Sequence, residues 1–164
     1  MGMLDYIDFK IKHEVVDIDH MVAIWNFQNK KIVFTNGCFD LIHRGHVDYL
    51  AKASEFGDVL VVGLNTDDSV KRIKGEHRPV SDEDARANIL ASMLFVDGVF
   101  FFDEDTPYEL IKRVNPNVLV KGADYKEEDI VGYDIVKANN GEIKTIDLVE
   151  GYSTTNLIEK VKQI

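Results

Sequence analysis

Ile32-Val33-Phe34-Thr35-Asn36-Gly37-Cys38-Phe39-Asp40-Leu41-Ile42-His43-Arg44-Gly45-His46 joins an apolar, β-branched run to a turn of small and polar residues, and then to two histidines three apart. The run predicts a strand over residues 32–35, and the histidines fall where a helix begins. Similar runs recur at residues 59–62, 98–102, 118–120 and 143–146. Several are apolar at consecutive positions, as strands covered on both faces must be. Between the runs, apolar residues recur at helical spacing: Val47, Leu50, Ala51; Ala85, Ile89, Met93; Leu110, Ile111, Val114; Val131, Ile135, Ala138; and Leu157, Ile158, Val161. Strands alternating with amphipathic helices are the signature of βαβ units. The expected fold is α/β: a Rossmann-like open, mainly parallel five-stranded sheet with helices on both faces.

Local signals place some boundaries. Thr106-Pro107-Tyr108-Glu109 reads as a helix start, with Thr106 as N-cap, Pro107 at the first helical position and Glu109 closing a capping box. Asn115-Pro116 ends that helix. Ser81, followed by Asp82, Glu83 and Asp84, starts another, because acidic residues in a first turn complement the helix dipole. Residues 1–30 stand outside the alternation and are expected to form a helical extension. Within it, Ile18, Met21, Val22 and Trp25 mark an amphipathic helix packing on the sheet or on a second subunit.

Composition bounds the function. The 164 residues suit one domain, and scaling predicts that about 69% of the unfolded chain's surface is buried on folding. Nineteen Lys and Arg against 29 Asp and Glu leave a net charge of −10, which argues against a general nucleic-acid binder and requires a local basic pocket for any anionic ligand. A single cysteine, Cys38, excludes an internal disulfide framework and a multi-cysteine zinc site. No apolar run approaches the ~18 residues of a membrane span, and Asp5, Asp8 and Lys10 interrupt any signal-peptide core. A cytoplasmic protein without membrane or nucleic-acid partners is the expectation. None of the 11 glycines is spaced as G-x-G-x-x-G or as G-x-x-x-x-G-K, and no G-x-S-x-G elbow occurs, so the usual dehydrogenase, P-loop kinase and hydrolase readings fall away.

Open α/β sheets bind ligands at the carboxyl ends of their strands, and helix N-termini attract phosphate through free N–H groups. His43 and His46 at such a place can donate to phosphate oxygens, and Gly45 leaves room where a β-carbon would obstruct. The plainer alternative makes the two histidines a helix cap and a core residue. Zinc is the weaker option, since two histidines fall short of the usual ligand count. Cys38 reads as a small buried residue at the strand end or, alternatively, as a nucleophilic thiol.

The segment T-N-G-C-F-D-L-I-H-R-G-H resembles the H-x-G-H signature of the nucleotidylyltransferase superfamily, and its T-N-G-C-F-D lead-in is similar to the heptose 1-phosphate adenylyltransferase branch. Further segments agree in order: Val61-Val62-Gly63-Leu64-Asn65-Thr66-Asp67, Val70-Lys71-Arg72-Ile73-Lys74-Gly75, Arg78-Pro79-Val80, Phe102-Asp103-Glu104-Asp105-Thr106-Pro107, Leu119-Val120-Lys121-Gly122-Ala123-Asp124-Tyr125 and Glu150-Gly151-Tyr152-Ser153-Thr154-Thr155. The branch usually reads K-G-G-D-Y where this chain has Ala123. Its members are often fused behind a sugar kinase domain, and a free-standing form is also found. The resemblance makes residues 31–164 the nucleotidylyltransferase domain.

It also nominates a site. Asn36, Gly37, Cys38, Phe39, Asp40 and Gly45 belong to the signature turn. Residues 71–78 carry net +3 and read either as a solvated run or as a basic loop that neutralises phosphate, with Lys74 and Arg78 as contacts by similarity. Lys121, with Gly122 and Asp124 beside it, ends a strand and either reaches a phosphate or snorkels to solvent. Ser153, Thr154 and Thr155 precede the last helix and resemble the motif that holds a nucleotide's outer phosphates. Arg86 is either the arginine often found in the superfamily or a partner of Asp82.

The implied reaction joins ATP to a seven-carbon sugar 1-phosphate, giving ADP-heptose and pyrophosphate. The resemblance assigns His43, His46 and Lys121 to catalysis, with no protein metal site, Mg2+ expected on the nucleotide, and a homodimer by analogy. The alternatives are a glycerol-3-phosphate cytidylyltransferase-like enzyme and a non-catalytic nucleotide-binding regulator.

Overall fold

A computed structural model describes residues 2–123 and 126–163. In chain order the elements are α1 (Met3–Lys10), β1 (Ile11–Lys12), α2 (Val15–Phe27), β2 (Ile32–Gly37), α3 (Arg44–Ser54), β3 (Val59–Asn65), α4 (Asp67–Lys74), α5 (Glu83–Ala91), β4 (Gly98–Phe102), α6 (Tyr108–Val114), β5 (Val118–Gly122), α7 (Tyr133–Ala138), β6 (Glu142–Ile146) and α8 (Thr154–Lys162), with a 3-10 turn at Glu127–Asp129. The sheet runs β1-β4-β3-β2-β5-β6. Every pairing is parallel, with Phe34 opposite both Val61 and Leu119.

Alternation along the strands divides the core in two. Val33, Leu60, Val62, Val99 and Val118 face α3 and α5 through Leu50, Ala53, Ala87 and Leu90. Ile32, Phe34, Val61, Phe100 and Leu119 face α2 and α6 through Ile18, Met21, Val22, Leu110 and Ile111. Helices therefore cover both faces, which explains the continuous apolar runs. Ile18, Met21 and Val22 pack on this sheet, while Trp25 lies half-buried against the same cluster.

Four local expectations change. The sheet has six strands rather than five, because Ile11-Lys12 pairs with Val99-Phe100 at the edge. Lys10 anchors that pairing: its buried Nζ donates to the carbonyls of Ala91 (3.1 Å) and Met93 (3.4 Å), placing a cation at the C-terminal end of α5. The cap of α5 is Asp82 rather than Ser81, its carboxylate accepting from the Ala85 N–H at 2.8 Å. The buried face of α5 is Arg86, Ala87, Leu90 and Ala91, so the stripe Ala85, Ile89, Met93 is displaced, with Ile89 left exposed. Finally, α6 starts at Tyr108 with Pro107 at its N-cap and no side-chain cap bond, so the Thr106 capping box does not form. Asn115 does end that helix, in the left-handed conformation that releases the chain from helical geometry.

Candidate active site

Strand β2 lies between β3 and β5, so the chain leaves it toward one side of the sheet and returns later on the other. Such a switch point opens a crevice outside the carboxyl ends of the strands. Asn36 and Gly37 end β2 there, and Lys121 and Gly122 end β5. The Lys121 ammonium donates a hydrogen bond to the Asn36 side-chain oxygen, tying the two strand ends together.

His43 is the N-cap of α3, with Nδ1 accepting a long 3.4 Å bond from the His46 N–H. That bond assigns the proton of the neutral ring to Nε2, leaving a donor for a ligand. The two imidazoles stack with centroids 3.8 Å apart and planes 16° from parallel. Burial lowers the pKa of His43. Burial first, and then the neighbouring His43 charge, push His46 down to about 4 against the opposing Leu41 carbonyl. Both rings are therefore neutral at pH 7, each with a single N–H. The cap reading of His43 and its placement at the site hold together, because one nitrogen serves each.

Gly45 matters through its neighbours. A β-carbon there would meet His43 Cε1 and Nδ1 at 3.1 Å and Tyr152 Cβ at 3.2 Å. The space the glycine provides is filled by the His43 ring and by Tyr152.

Asp40 is almost fully buried and accepts from Arg78 Nε at 2.5 Å and from the backbone N–H groups of Val80 and Ser81 at 2.7 and 3.0 Å. It fastens the loop after α4 to the turn after β2, holding Arg78 while Lys74 lines the crevice. Arg86 is wholly buried and lies outside the crevice lining. Its guanidinium donates to the carbonyls of Ser81, Cys38 and Asn65 and to the Asp67 carboxylate at 2.7 Å. Its carboxylate partner is Asp67 rather than Asp82, and it braces the signature turn from behind. Cys38 lines the crevice, and burial raises its pKa against the lowering effect of Lys74, Arg86 and Arg78, so the thiol stays protonated.

At the other end of the chain, Ser153 caps α8 by accepting from the Asn156 N–H at 3.1 Å. The Thr154 hydroxyl donates to the Leu41 carbonyl at 3.5 Å, bringing this turn to the signature loop.

The crevice has two adjoining lobes of about 410 and 480 Å3. Asn36, Gly37, Cys38, Phe39, Lys74, Lys121, His46 and Thr154 line both lobes. His43, Gly45, Gly122 and Ser153 line the first, and Asp40, Arg78 and Thr155 the second. Asp124 lies outside the described residues. Lining residues not singled out from the sequence include Tyr49, Leu148, Val149 and Tyr152 in the first lobe and Asn65, Asp105, Thr106 and Asp129 in the second. Asn65, Asp105, Thr106 and Tyr152 stood inside motif segments without being read as site residues, and nothing local distinguished Tyr49, Leu148, Val149 and Asp129.

A family model described as cytidylyltransferase-like matches residues 34–160, which holds every site residue named above. The chain belongs to the cytidylyltransferase-like family. Within curated proteins it is similar to the bifunctional protein HldE of Campylobacter concisus, 55% identical over 152 residues covering 92% of this chain and 31% of that protein. The Geobacter metallireducens HldE is 57% identical over 134 residues, covering 82% of this chain and 27% of that protein. The chain thus spans about a third of the length of these relatives. Among solved structures, a lipopolysaccharide core biosynthesis protein from Thermoplasma volcanium superposes with TM-score 0.60 at 25% identity, covering 76% of this chain and 99% of that one. Pantothenate synthetase from Thermus thermophilus, with TM-score 0.63 at 14% identity over 94% of this chain and 70% of that one, shares the fold. The cytidylyltransferase-like family and the HldE relatives together support nucleotidyl transfer as the reaction class.

Among the described residues no group of three or more His, Cys, Asp or Glu side chains is placed to hold a metal ion. No helix among them is long and apolar enough to cross a membrane.

Proposed function

We propose that this chain transfers AMP from ATP to D-glycero-D-manno-heptose 1-phosphate, releasing pyrophosphate and forming ADP-heptose for lipopolysaccharide or surface glycan synthesis. The observation that carries the reading is convergence: His43 and His46 from the start of α3, Lys121 from the end of β5, and Ser153 and Thr154 from the start of α8 line one crevice. The ordered motif set and the identity to HldE proteins support the heptose acceptor.

The chemistry needs little from the protein beyond placement and charge. An acceptor phosphate oxygen is already anionic, so it attacks the α-phosphorus without a general base. The new P–O bond forms as the bond to the β-phosphate oxygen breaks, and pyrophosphate leaves with that electron pair. Neutral N–H donors on His43 and His46, the Lys121 ammonium and the N–H groups opening α8 offset the charge that gathers on the phosphates. Magnesium would travel with the triphosphate and neutralise part of it, since the first lobe, which the catalytic histidines line, offers imidazole, hydroxyl and ammonium groups and no carboxylate.

A cytoplasmic homodimer is part of this reading. Exposed apolar side chains on the N-terminal helices, Met3, Leu4, Val16 and Phe27 among them, support the dimer, and sedimentation tests it.

The deciding experiment measures pyrophosphate release from ATP or CTP with heptose 1-phosphate or glycerol 3-phosphate as acceptor. The reading expects ATP with the heptose. Turnover only of CTP with glycerol 3-phosphate favours the cytidylyltransferase-like alternative, and no release from any pair favours a non-catalytic regulator.

A further inference from the structure

The two lobes differ in charge in a way that sorts two substrates. The first carries no carboxylate in its lining and is walled by Leu148, Val149 and Tyr152, apolar surface suited to a base and its phosphates. The second shares Lys74 and Lys121 with the first and adds the paired Arg78 and Asp40, the carboxylates of Asp105 and Asp129, the Thr106 hydroxyl and apolar contacts from Ile130 and Val131. Asp105 is paired with Arg72, so the Asp129 carboxylate is the group that disfavours a triphosphate beside it. A molecule with one anionic end and one neutral, hydroxyl-bearing end fits, its phosphate at the lysines and its hydroxyls at the acids.

The groups on that far wall differ in availability. Asp40 is consumed by Arg78, Val80 and Ser81. Asp105 is held by Arg72 Nε at 3.1 Å. Among the described residues, no ion pair or side-chain hydrogen bond engages Asp129. Thr106 carries the second signal: its sequence marks it as a helix cap, yet α6 starts two residues later with Pro107 at the N-cap, and among the described residues no hydrogen bond engages the exposed Thr106 hydroxyl.

We propose that the second lobe is the acceptor subsite, in which Asp129 and Thr106 hydrogen-bond hydroxyl groups of a sugar phosphate. This deepens the proposed function and rests on it for the identity of the sugar. Asp129 and Thr106 are both exposed on the lobe, and a carboxylate accepts from hydroxyls at two oxygens while a threonine hydroxyl both donates and accepts. The two residues are binding groups for the acceptor and make no contact with the nucleotide.

The test is calorimetric binding, with parallel steady-state kinetics, of the full chain and its Asp129→Asn and Thr106→Val variants. The ligands are ATP, CTP, heptose 1-phosphate, mannose 1-phosphate and glycerol 3-phosphate. The expected result is at least a ~10-fold weaker Kd and a higher KM for the polyol phosphate that the wild type binds, with nucleotide Kd unchanged and Tm within a degree or two. Weakened nucleotide binding, unchanged acceptor binding, or failure of the wild type to bind any polyol phosphate overturns the subsite. A wild type that turns over CTP with glycerol 3-phosphate overturns the heptose reading instead. In that case the subsite stands if the variants weaken glycerol 3-phosphate and spare CTP.

Discussion

The Asp40 carboxylate holds Arg78 Nε at 2.5 Å across 38 residues of chain, in a pair whose acid side chain is 1% exposed and whose arginine side chain is 20% exposed. Two backbone N–H groups complete the carboxylate's bonding. The basic loop is thereby fixed to the turn that carries the site. Asp40→Ala removes three acceptor bonds and leaves Arg78 unpaired. It is expected to cost about 2–4 kcal/mol in denaturant unfolding and to raise the KM of both substrates as Arg78, which lines the second lobe, loses its anchor. Unchanged stability would show that the loop is held by something else.

Arg86 gives a sharper contrast, because the sequence nominates it as a ligand contact and the fold buries it. Arg86→Met leaves three carbonyls and the Asp67 carboxylate without their donor, and about 3–5 kcal/mol of stability should be lost. Arg86→Lys should recover only part of it, since one ammonium cannot reproduce a planar fork aimed at four acceptors. A Met variant with native Tm and a raised KM for ATP would restore the direct-contact reading.

Gly45→Ala tests the packing behind the histidines. The added methyl group meets the His43 ring at 3.1 Å, so the ring must shift by a few tenths of an ångström. Turnover should fall about 10-fold, while Tm changes little because alanine improves the helix propensity at the start of α3. Wild-type turnover would mean the ring's position is not critical.

The general plan of the fold was legible because strands buried on both faces are written as continuous apolar runs such as Val59 to Val62. The sixth strand was not, since Ile11-Lys12 is too short to carry a pattern and is held by the buried Lys10, whose burial depends on carbonyls 81 and 83 residues away. The face of α5 was misread because its buried side includes Arg86, a charge that hydrophobic periodicity assigns to solvent. At the site, His43, His46, Lys121 and Ser153 were legible from motif chemistry. The supporting bonds of Asp40 and Arg86 were not, because their partners are largely backbone groups brought together only by folding. Leu148, Val149 and Asp129 sit in segments with no local signature and enter the crevice through topology alone.

Acid should destabilise the unliganded protein through His46. Its folded pKa of about 4 lies below the ordinary 6.5, so the unfolded state binds more protons between those values. Stability from this group is present above pH 6.5 and is lost as pH falls toward 4. His43 shifts in the same direction. Thermal unfolding of the wild type should therefore lose Tm over that window more steeply than that of His46→Gln. Parallel curves would mean that His46 is not desolvated in the folded chain.

Pyrophosphate release by a folded His46→Ala variant, assayed with ATP and heptose 1-phosphate at saturation, probes the role of the paired imidazoles most directly. Loss of a donor to the phosphates in the transition state should lower kcat by ~10²-fold or more with secondary structure and Tm near native. Turnover close to that of the parent protein would contradict the assignment of this crevice to phosphate transfer.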